Sequence, residues 1–308
     1  MSLAITAFNQ IIIMFFLILV GIISFKINLI DKETNNRLSD IVLMLVNPFV
    51  IFVSYQQKFE NTLLTGLLIS LALATATHLF GILLSMVVLK KKKHEADISI
   101  ERFAVVYSNC GFMGIPLVHG FFGSEGVFYL TAYITLFNLV VWTHGMITVS
   151  GKSDRRSVMK AILSPCVLAT VIGFAFFIFR LMLPPTLYRA CAYIGDLNTP
   201  LAMIVAGSTI AQTNFLHLIG KLRIYYIAFF KLLFIPIAML FIFNIFDIPH
   251  KVLLTSVLAA ACPTAATVNL FAIRYGKNYL YASEMFAVST ILSLFTIPLV
   301  MAVANLVV

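Results

Sequence analysis

Residues 107–123 read YSNCGFMGIPLVHGFFG and lie inside an apolar segment that is long enough to cross a bilayer. The stretch carries residues that loosen or break a helix, namely Asn109, Gly111, Gly114 and Pro116, and proline removes an amide hydrogen that the helix would use. An interrupted helix at membrane depth is tolerated only where protein groups or a water-filled cavity satisfy the freed backbone groups. The stretch therefore predicts a broken membrane helix that lines a cavity.

The composition is that of a polytopic membrane protein. Of 308 residues, 61% are hydrophobic and 11% are charged, with a mean hydropathy of +1.02, whereas soluble domains are about 25% charged. Ten apolar runs of spanning length follow one another, at about residues 5–27, 38–55, 63–89, 103–121, 126–149, 160–183, 188–211, 224–246, 251–273 and 279–305. The first run lacks the basic start and the cleavage site of a signal peptide, so it is expected to remain as a span.

The net charge of +9 is explained by membrane topology, and nucleic-acid binding is not predicted. All but five of the 21 Lys and Arg residues fall in loops on one side of the predicted membrane; the exceptions are Lys58, Arg180, Arg189, Lys251 and the intramembrane Lys231. The positive-inside rule places the basic side in the cytoplasm. A multi-pass protein of the cell membrane, plasma or inner, with both termini outside the cytoplasm is therefore expected.

The ten runs divide into two halves of five, 1–150 and 151–308. An offset of 152 positions aligns identical residues: Gly21 with Gly173, Leu29 with Leu181, Arg37 with Arg189, Leu45 with Leu197 and Pro48 with Pro200. Because five is odd, the second half would insert upside down, which is typical of secondary transporters with inverted repeats. Span nine should then hold a second break, and residues 259–269, AAACPTAATVN, carry Pro263 in mid-span among small residues. Two broken helices that cross near the midplane are predicted.

Half-helix N-termini at such a crossing favour an anionic group, such as a carboxylate, because they present unpaired amides and the positive end of the helix dipole. The candidate substrate contacts at the two breaks are Asn109, Gly111, Pro116, Cys262, Pro263, Thr264 and Asn269. For Thr264 and Asn269, a hydrogen bond between helices that only supports packing is an equal alternative. The four cysteines show no Cys-x-x-Cys spacing, so neither a disulfide framework nor a metal site is predicted.

Two ionisable residues are candidates for coupling or charge compensation, since ionisable side chains inside spans are costly and often functional. Lys231 lies within span eight, where it is also within reach of the cytoplasmic interface. Asp196 stands four residues before Pro200, where it is also within reach of Arg189. No cofactor is predicted, and coupling to protons or to sodium remains open. The motifs of membrane proteases and of ATP-driven pumps are absent from the sequence, so an enzyme is not expected.

At the two predicted breaks the sequence resembles the auxin efflux carrier family, which includes plant PIN exporters and bacterial malate or malonate carriers. NCGFMGIPL at 109–117 is similar to the fourth-span motif, and CPTAATVNLFA at 262–272 is similar to the ninth-span motif. Asn47-Pro48 and Ser164-Pro165 fit weaker family positions, although plant members carry Asn-Pro where this chain has Ser164-Pro165. The Asp and Lys pair in the third span of plant members has no counterpart here.

The resemblance implies an all-α fold like that of bile-acid sodium symporters. Spans one, two, six and seven (1–57 and 160–213) would form a scaffold that dimerises, and residues 62–149 and 221–306 would form a mobile transport domain. An elevator-type motion would carry a small organic anion, a mono- or dicarboxylate, across the lipid membrane. Asn109 would contact the carboxylate, and Ser164 would be a further substrate contact. An anion channel and a non-transporting sensor with the same fold are the alternative functions.

Overall fold

The computed structural model describes residues 3–90, 97–151, 159, 162–212 and 221–307, and within them every regular element is a helix. Helices that are long and apolar enough to cross a membrane, by length and composition, occupy Asn9–Lys26, Lys32–Ser54, Asn61–Val88, Cys110–Ser150, Leu222–Phe243 and Tyr279–Val307. Shorter apolar helices cover Pro165–Ile178 and His250–Ala261. The prediction of an all-helical, polytopic membrane protein is confirmed.

The first half of the chain, at the residues that the structure describes, contains seven α-helices. They are α1 (Leu3–Lys26), α2 (Lys32–Ile41), α3 (Asn47–Ser54), α4 (Asn61–Val88), α5 (Ile98–Val106), α6 (Ile115–Val140) and α7 (Met146–Ser150). Three five-residue π turns interrupt these helices. The turn Val42–Val46 joins α2 to α3, the turn Cys110–Gly114 precedes α6, and the turn Val141–Gly145 joins α6 to α7. Gly123 adopts a positive φ of 61° inside α6, and this bend divides the long helix into two arms.

The second half, in the part that the structure describes, contains eight α-helices. They are α8 (Pro165–Ile178), α9 (Pro185–Asp196), α10 (Asn198–Ala211), α11 (Leu222–Phe229), α12 (Ile235–Phe243), α13 (His250–Ala261), α14 (Thr267–Arg274) and α15 (Tyr279–Val307). A π turn at Phe230–Phe234 joins α11 to α12.

Three of the π turns have a proline as their cause. Pro48, Pro116 and Pro236 each stand two residues after a π turn. Proline clashes with the carbonyl four residues earlier, and widening the helix by one residue relieves that clash. The amide just before each proline accordingly bonds five residues back, from Asn47 to Val42, from Ile115 to Cys110 and from Ile235 to Phe230.

The same terminal turn recurs 152 residues apart. At the end of α1, Asn28 has a φ of 60° and the amide of Leu29 donates to the Ser24 carbonyl over 2.9 Å. At the end of α8, Arg180 has a φ of 55° and the amide of Leu181 donates to the Phe176 carbonyl over 2.8 Å. This left-handed cap is a common way to satisfy the last carbonyls of a helix, and a non-glycine residue rarely adopts it.

Helix α1 packs along α10 at a glycine contact. A Cβ on Gly21 would lie 2.2 Å from the carbonyl oxygen of Ile204, and one on Gly207 would lie 2.0 Å from that of Ile18. Glycine permits this close approach because it has no side chain. Helix α3 packs on α8 and α9, whereas α6 packs on α4 and α13. The two breaks described next follow α5 and separate α13 from α14.

Candidate functional site

The two interruptions of the membrane helices meet each other. The first break, Tyr107–Asn109, follows α5, and the second break, residues 262–266, separates α13 from α14. The amide of Asn109 donates to the Pro263 carbonyl over 2.7 Å, and the amide of Ala265 donates to the Tyr107 carbonyl over 2.9 Å. Ser108 and Thr264 thus form an antiparallel bridge. Each break thus supplies hydrogen-bond partners for backbone groups of the other, which would otherwise be unpaired in an apolar surrounding.

The hydroxyls at the bridge satisfy carbonyls at the helix ends. Thr264 donates its hydroxyl to the carbonyl of Ala104 in α5 over 3.1 Å, and Ser108 donates to the carbonyl of Ala260 in α13 over 3.3 Å. Both side chains are about 1% exposed. Since the last carbonyls of a helix lack intrahelical donors, these contacts stabilise the interrupted ends. The hydroxyl of Thr264 therefore has a structural partner already.

Lys231 reaches into the meeting point from the π turn of span eight. Its side chain is 1% exposed, and its Nζ donates to the Ser108 Oγ and, over 3.2 Å, to the Ala260 carbonyl. The side chain thus turns inward and is buried among the helices. The sequence placed Lys231 in a span but could not give its direction, which depends on how the helix packs.

The side chain of Asn109 has no hydrogen-bond partner within the part of the chain that the structure describes, although the residue is only 6% exposed. Its carbonyl accepts from the amides of Met113 and Gly114, over 2.9 and 3.3 Å, and so starts the following π turn. The first turn of a helix leaves amide hydrogens without intrahelical partners. A free carboxamide and these amides can together bind the oxygens of an anion.

Asn269 and Cys262 flank the second break. The Oδ1 atom of Asn269, in the first turn of α14, is buried and has no hydrogen-bond partner among the described residues. Cys262 is fully buried, and its Sγ lies 3.3 Å from the Leu258 carbonyl. A Cβ on Gly114 would lie 3.5 Å from this sulfur and 3.3 Å from the Cβ of Cys110, so the two cysteines border the same small space.

Gly111 connects the first break to two buried asparagines outside it. The Nδ2 of Asn47 donates to the Gly111 carbonyl over 3.3 Å, and the Oδ1 of Asn47 accepts from the Nδ2 of Asn198 over 2.6 Å. Asn47 begins α3 and Asn198 begins α10, next to the prolines that the internal offset aligned. Asn198 was not singled out from the sequence, because it stands two residues before Pro200, whereas Asn47 directly precedes Pro48.

Pro116 lies beyond the break. The interruption is at Tyr107–Asn109, whereas Pro116 stands in the first turn of α6, where its carbonyl accepts from the Gln10 side chain over 3.1 Å. The sequence pattern suggested that this proline breaks the helix and marks the meeting point. It instead widens the helix into the π turn that carries Gly111, because a proline needs space at the carbonyl four residues earlier.

Asp196 and Ser164 lie apart from the bridge between the breaks. Asp196 is exposed and borders a cavity of about 250 Å³, together with Val50, Ile115, His119 and Asn198. Ile115 places this cavity beside the π turn Cys110–Gly114. Ser164 precedes α8, which packs on α3, and its hydroxyl has no hydrogen-bond partner among the described residues.

His78 is a further residue that the predicted site did not contain. It lies in α4, is 2% exposed, and its Nδ1 contacts the Ala74 carbonyl at 2.8 Å. Its ring centroid is 5.1 Å from that of Tyr133 and 6.2 Å from that of Tyr107. The Nε2 atom has no hydrogen-bond partner among the described residues. The sequence shows only a lone histidine in a long apolar helix, which does not predict that its ring lies beside these two tyrosines.

Comparison with known proteins gives matches over more than nine-tenths of the chain. A family model described as membrane transport protein matches residues 6–301. A protein of Methanothermobacter thermautotrophicus named "Uncharacterized transporter" is 24% identical over 287 residues, which cover 92% of this chain and 93% of that protein. A Rhizobium meliloti protein named "Putative malonate transporter" is 22% identical over 293 residues, which cover 92% of this chain and 91% of that protein.

Proposed function

The chain belongs to the membrane transport protein family, as its auxin efflux carrier motifs indicated, and from this premise we propose that it is a secondary transporter of a small organic anion. The family and the names of the relatives indicate a transporter rather than an enzyme. The observation that carries the anion proposal is the meeting of the two breaks. There Asn109, whose carboxamide has no partner among the described residues, starts a π turn and directly follows Ser108, whose hydroxyl accepts from the amine of Lys231.

The substrate class that we propose is a mono- or dicarboxylate. Amides at a helix start and a cationic amine attract negative charge, and a carboxylate accepts several hydrogen bonds at once. The relative from Rhizobium meliloti carries malonate transport in its name, which makes malonate the first compound to test. In this proposal Asn109 and Asn269 contact the substrate, whereas Gly111, Cys262, Pro263 and Thr264 shape the site. Pro116 sets the geometry of the π turn, and Ser164 remains a more distant candidate.

The proposed architecture has ten spans in two inverted repeats, 1–150 and 151–308. The matching terminal turns at Asn28 and Arg180 support the repeat, because they are equivalent under the offset found in the sequence. The breaks in spans four and nine support it too, since they interrupt corresponding helices and bond to each other. In this arrangement the two broken helices cross, and the site lies near the middle of the membrane.

The proposed mechanism is elevator-type alternating access. The scaffold would comprise 1–57 and 160–213, and the transport domain would comprise 62–149 and 221–306. Two contacts support the scaffold, namely the glycine contact of α1 with α10 and the packing of α3 on α8 and α9. The packing of α6 on α4 and α13 supports the transport domain. We further propose a homodimer through the scaffold in the cell membrane, with both termini outside the cytoplasm.

Counterflow in proteoliposomes tests this function. Vesicles containing the purified protein and preloaded with unlabelled malonate, malate or acetate receive the labelled compound outside, and protein-free vesicles are the control. A carrier accumulates label faster when unlabelled substrate is present inside the vesicles, because its binding site then returns across the membrane with substrate bound. Flux that follows the gradient without this acceleration would indicate an anion channel. A thermal shift with a carboxylate but no flux of any kind would indicate a sensor.

A further inference from the structure

Two helices end at the meeting point of the breaks, and helix C-termini attract cations. Helices α5 and α13 both bring their last carbonyls there, at Ala104 and Ala260. The C-terminal end of a helix carries partial negative charge, and unwound carbonyls in broken membrane helices coordinate coupling cations. A hydroxyl, that of Ser108, faces the same point. The Ala104 carbonyl already accepts from Thr264, and the Ala260 carbonyl and the Ser108 hydroxyl are suited to a small cation.

The group that occupies the point is the amine of Lys231. Its Nζ bonds the Ser108 hydroxyl and the Ala260 carbonyl, and the side chain is 1% exposed. An ammonium group has three hydrogens to donate. Two have acceptors, and the third has none among the described residues, so it is available to a ligand.

No carboxylate balances this amine within the described part of the chain. The buried carboxylate of Glu101 binds Arg223 over 2.7 Å and accepts from the Tyr281 hydroxyl over 3.0 Å. A buried ammonium without a counter-ion is costly. Helix C-termini offset part of that cost, and an organic anion bound at the breaks would offset more.

We propose that the Lys231 ammonium is a tethered cation, which holds the position that a coupling sodium ion would need and makes anion transport independent of sodium. This inference rests on the proposed function, since it concerns the same site. It explains how the Ala260 carbonyl at the end of α13 and the Ser108 hydroxyl are satisfied without a mobile ion. It also gives the lysine a role in binding the anion, through the hydrogen that remains free.

The first test is the sodium dependence of the unaltered protein. Malonate counterflow is measured in proteoliposomes with sodium on both sides and again with choline in its place. We expect the two rates to agree within about twofold, because the built-in charge needs no partner ion. An absolute requirement for sodium would overturn the tethered-cation inference while leaving the transporter proposal intact. Absence of counterflow with malonate, malate and acetate would overturn the transporter proposal and this inference with it.

The second test removes the amine. Lys231→Ala should lower sodium-free counterflow by about tenfold or more, since it deletes hydrogen bonds from a charged group. Methylammonium or sodium should restore part of that rate, because either cation can enter the vacated position. Lys251→Ala, which removes an exposed lysine from its pair with Glu125, is the matched control and should retain the original rate.

Rescue separates a charge role from a packing role. Lys231→Met keeps the length of the side chain without the charge, and it should be inactive in sodium-free buffer while its thermal unfolding stays close to that of the unaltered protein. Unaltered counterflow in Lys231→Met would overturn the inference. A loss in Lys231→Ala that no cation reverses would also overturn it.

Discussion

The backbone and the side chain of Asn109 have different surroundings, and mutation can separate their roles. Its backbone amide bonds the Pro263 carbonyl, whereas its side chain has no partner among the described residues. Asn109→Ala should therefore leave the junction of the breaks intact and remove only a ligand contact. We expect malonate affinity to fall by about tenfold or more, because a hydrogen bond to a charged group contributes about 1.5–3 kcal/mol. Titration of the thermal shift with malonate measures this change.

Thr264→Ala is the matched control at the same depth. Its hydroxyl bonds the Ala104 carbonyl, so the substitution leaves a buried acceptor without its donor and should cost about 1–3 kcal/mol of stability. The two variants should thus show opposite patterns, with binding lost in one and stability lost in the other. An Asn109→Ala protein that binds malonate with unaltered affinity would refute the placement of the substrate at this side chain.

At the scale of the element, Pro116 controls the π turn rather than the break. Pro116→Ala restores an amide that can bond four residues back, so Cys110–Gly114 can return to α-helical spacing. That change would rotate Gly111 and its neighbours relative to α6. We expect counterflow to fall by about tenfold, because a site that is misplaced by about 1 Å loses function. The folded yield should stay close to that of the unaltered protein, since the bonds between the breaks persist.

Pro298→Ala provides the control for this prediction. Pro298 also lies inside a membrane helix, α15, but no π turn precedes it. The substitution should leave counterflow near the original rate. Equal and full activity in both proline variants would show that the π turn does not shape the site.

The sequence predicts those parts of the site that depend on local chemistry. Pro263 among alanines indicates a break directly, and the structure interrupts the chain there. The other break could not be placed to the residue, because Tyr107–Asn109 is held open by its bonds to the second break rather than by its own sequence. The direction of Lys231 and the pairing of Asn47 with Asn198 likewise depend on how helices rotate and pack. Such contacts between distant residues leave no local pattern.

At the scale of the whole molecule, the two halves of the chain are joined by contacts of very different kinds. The breaks join through hydrogen bonds around Lys231, whereas α1 and α10 join through bare glycine surfaces. A polar junction can exchange partners with a substrate. A glycine contact cannot, since its stability comes from close packing of the backbones. This difference favours α1 with α10 as a rigid frame and the breaks as the part that works on the substrate.

The rigidity of the glycine contact can be tested with a single methyl group. A Cβ on Gly207 would lie 2.0 Å from the Ile18 carbonyl oxygen, so Gly207→Ala forces the backbones of α1 and α10 apart. Overpacking of this kind costs about 1–3 kcal/mol, and we expect a lower midpoint of thermal unfolding in detergent. Gly81→Ala is the control, because a Cβ there meets its nearest atoms only at 3.7 Å, an ordinary contact. Malonate affinity in the folded fraction should stay unaltered in both variants, since Gly207 packs on α1 and a Cβ on Gly81 meets Val106, just before the first break, only at an ordinary contact distance. If Gly207→Ala were as stable as Gly81→Ala, α1 and α10 could move apart at little cost in stability. That result would contradict the assignment of these two helices to a rigid frame.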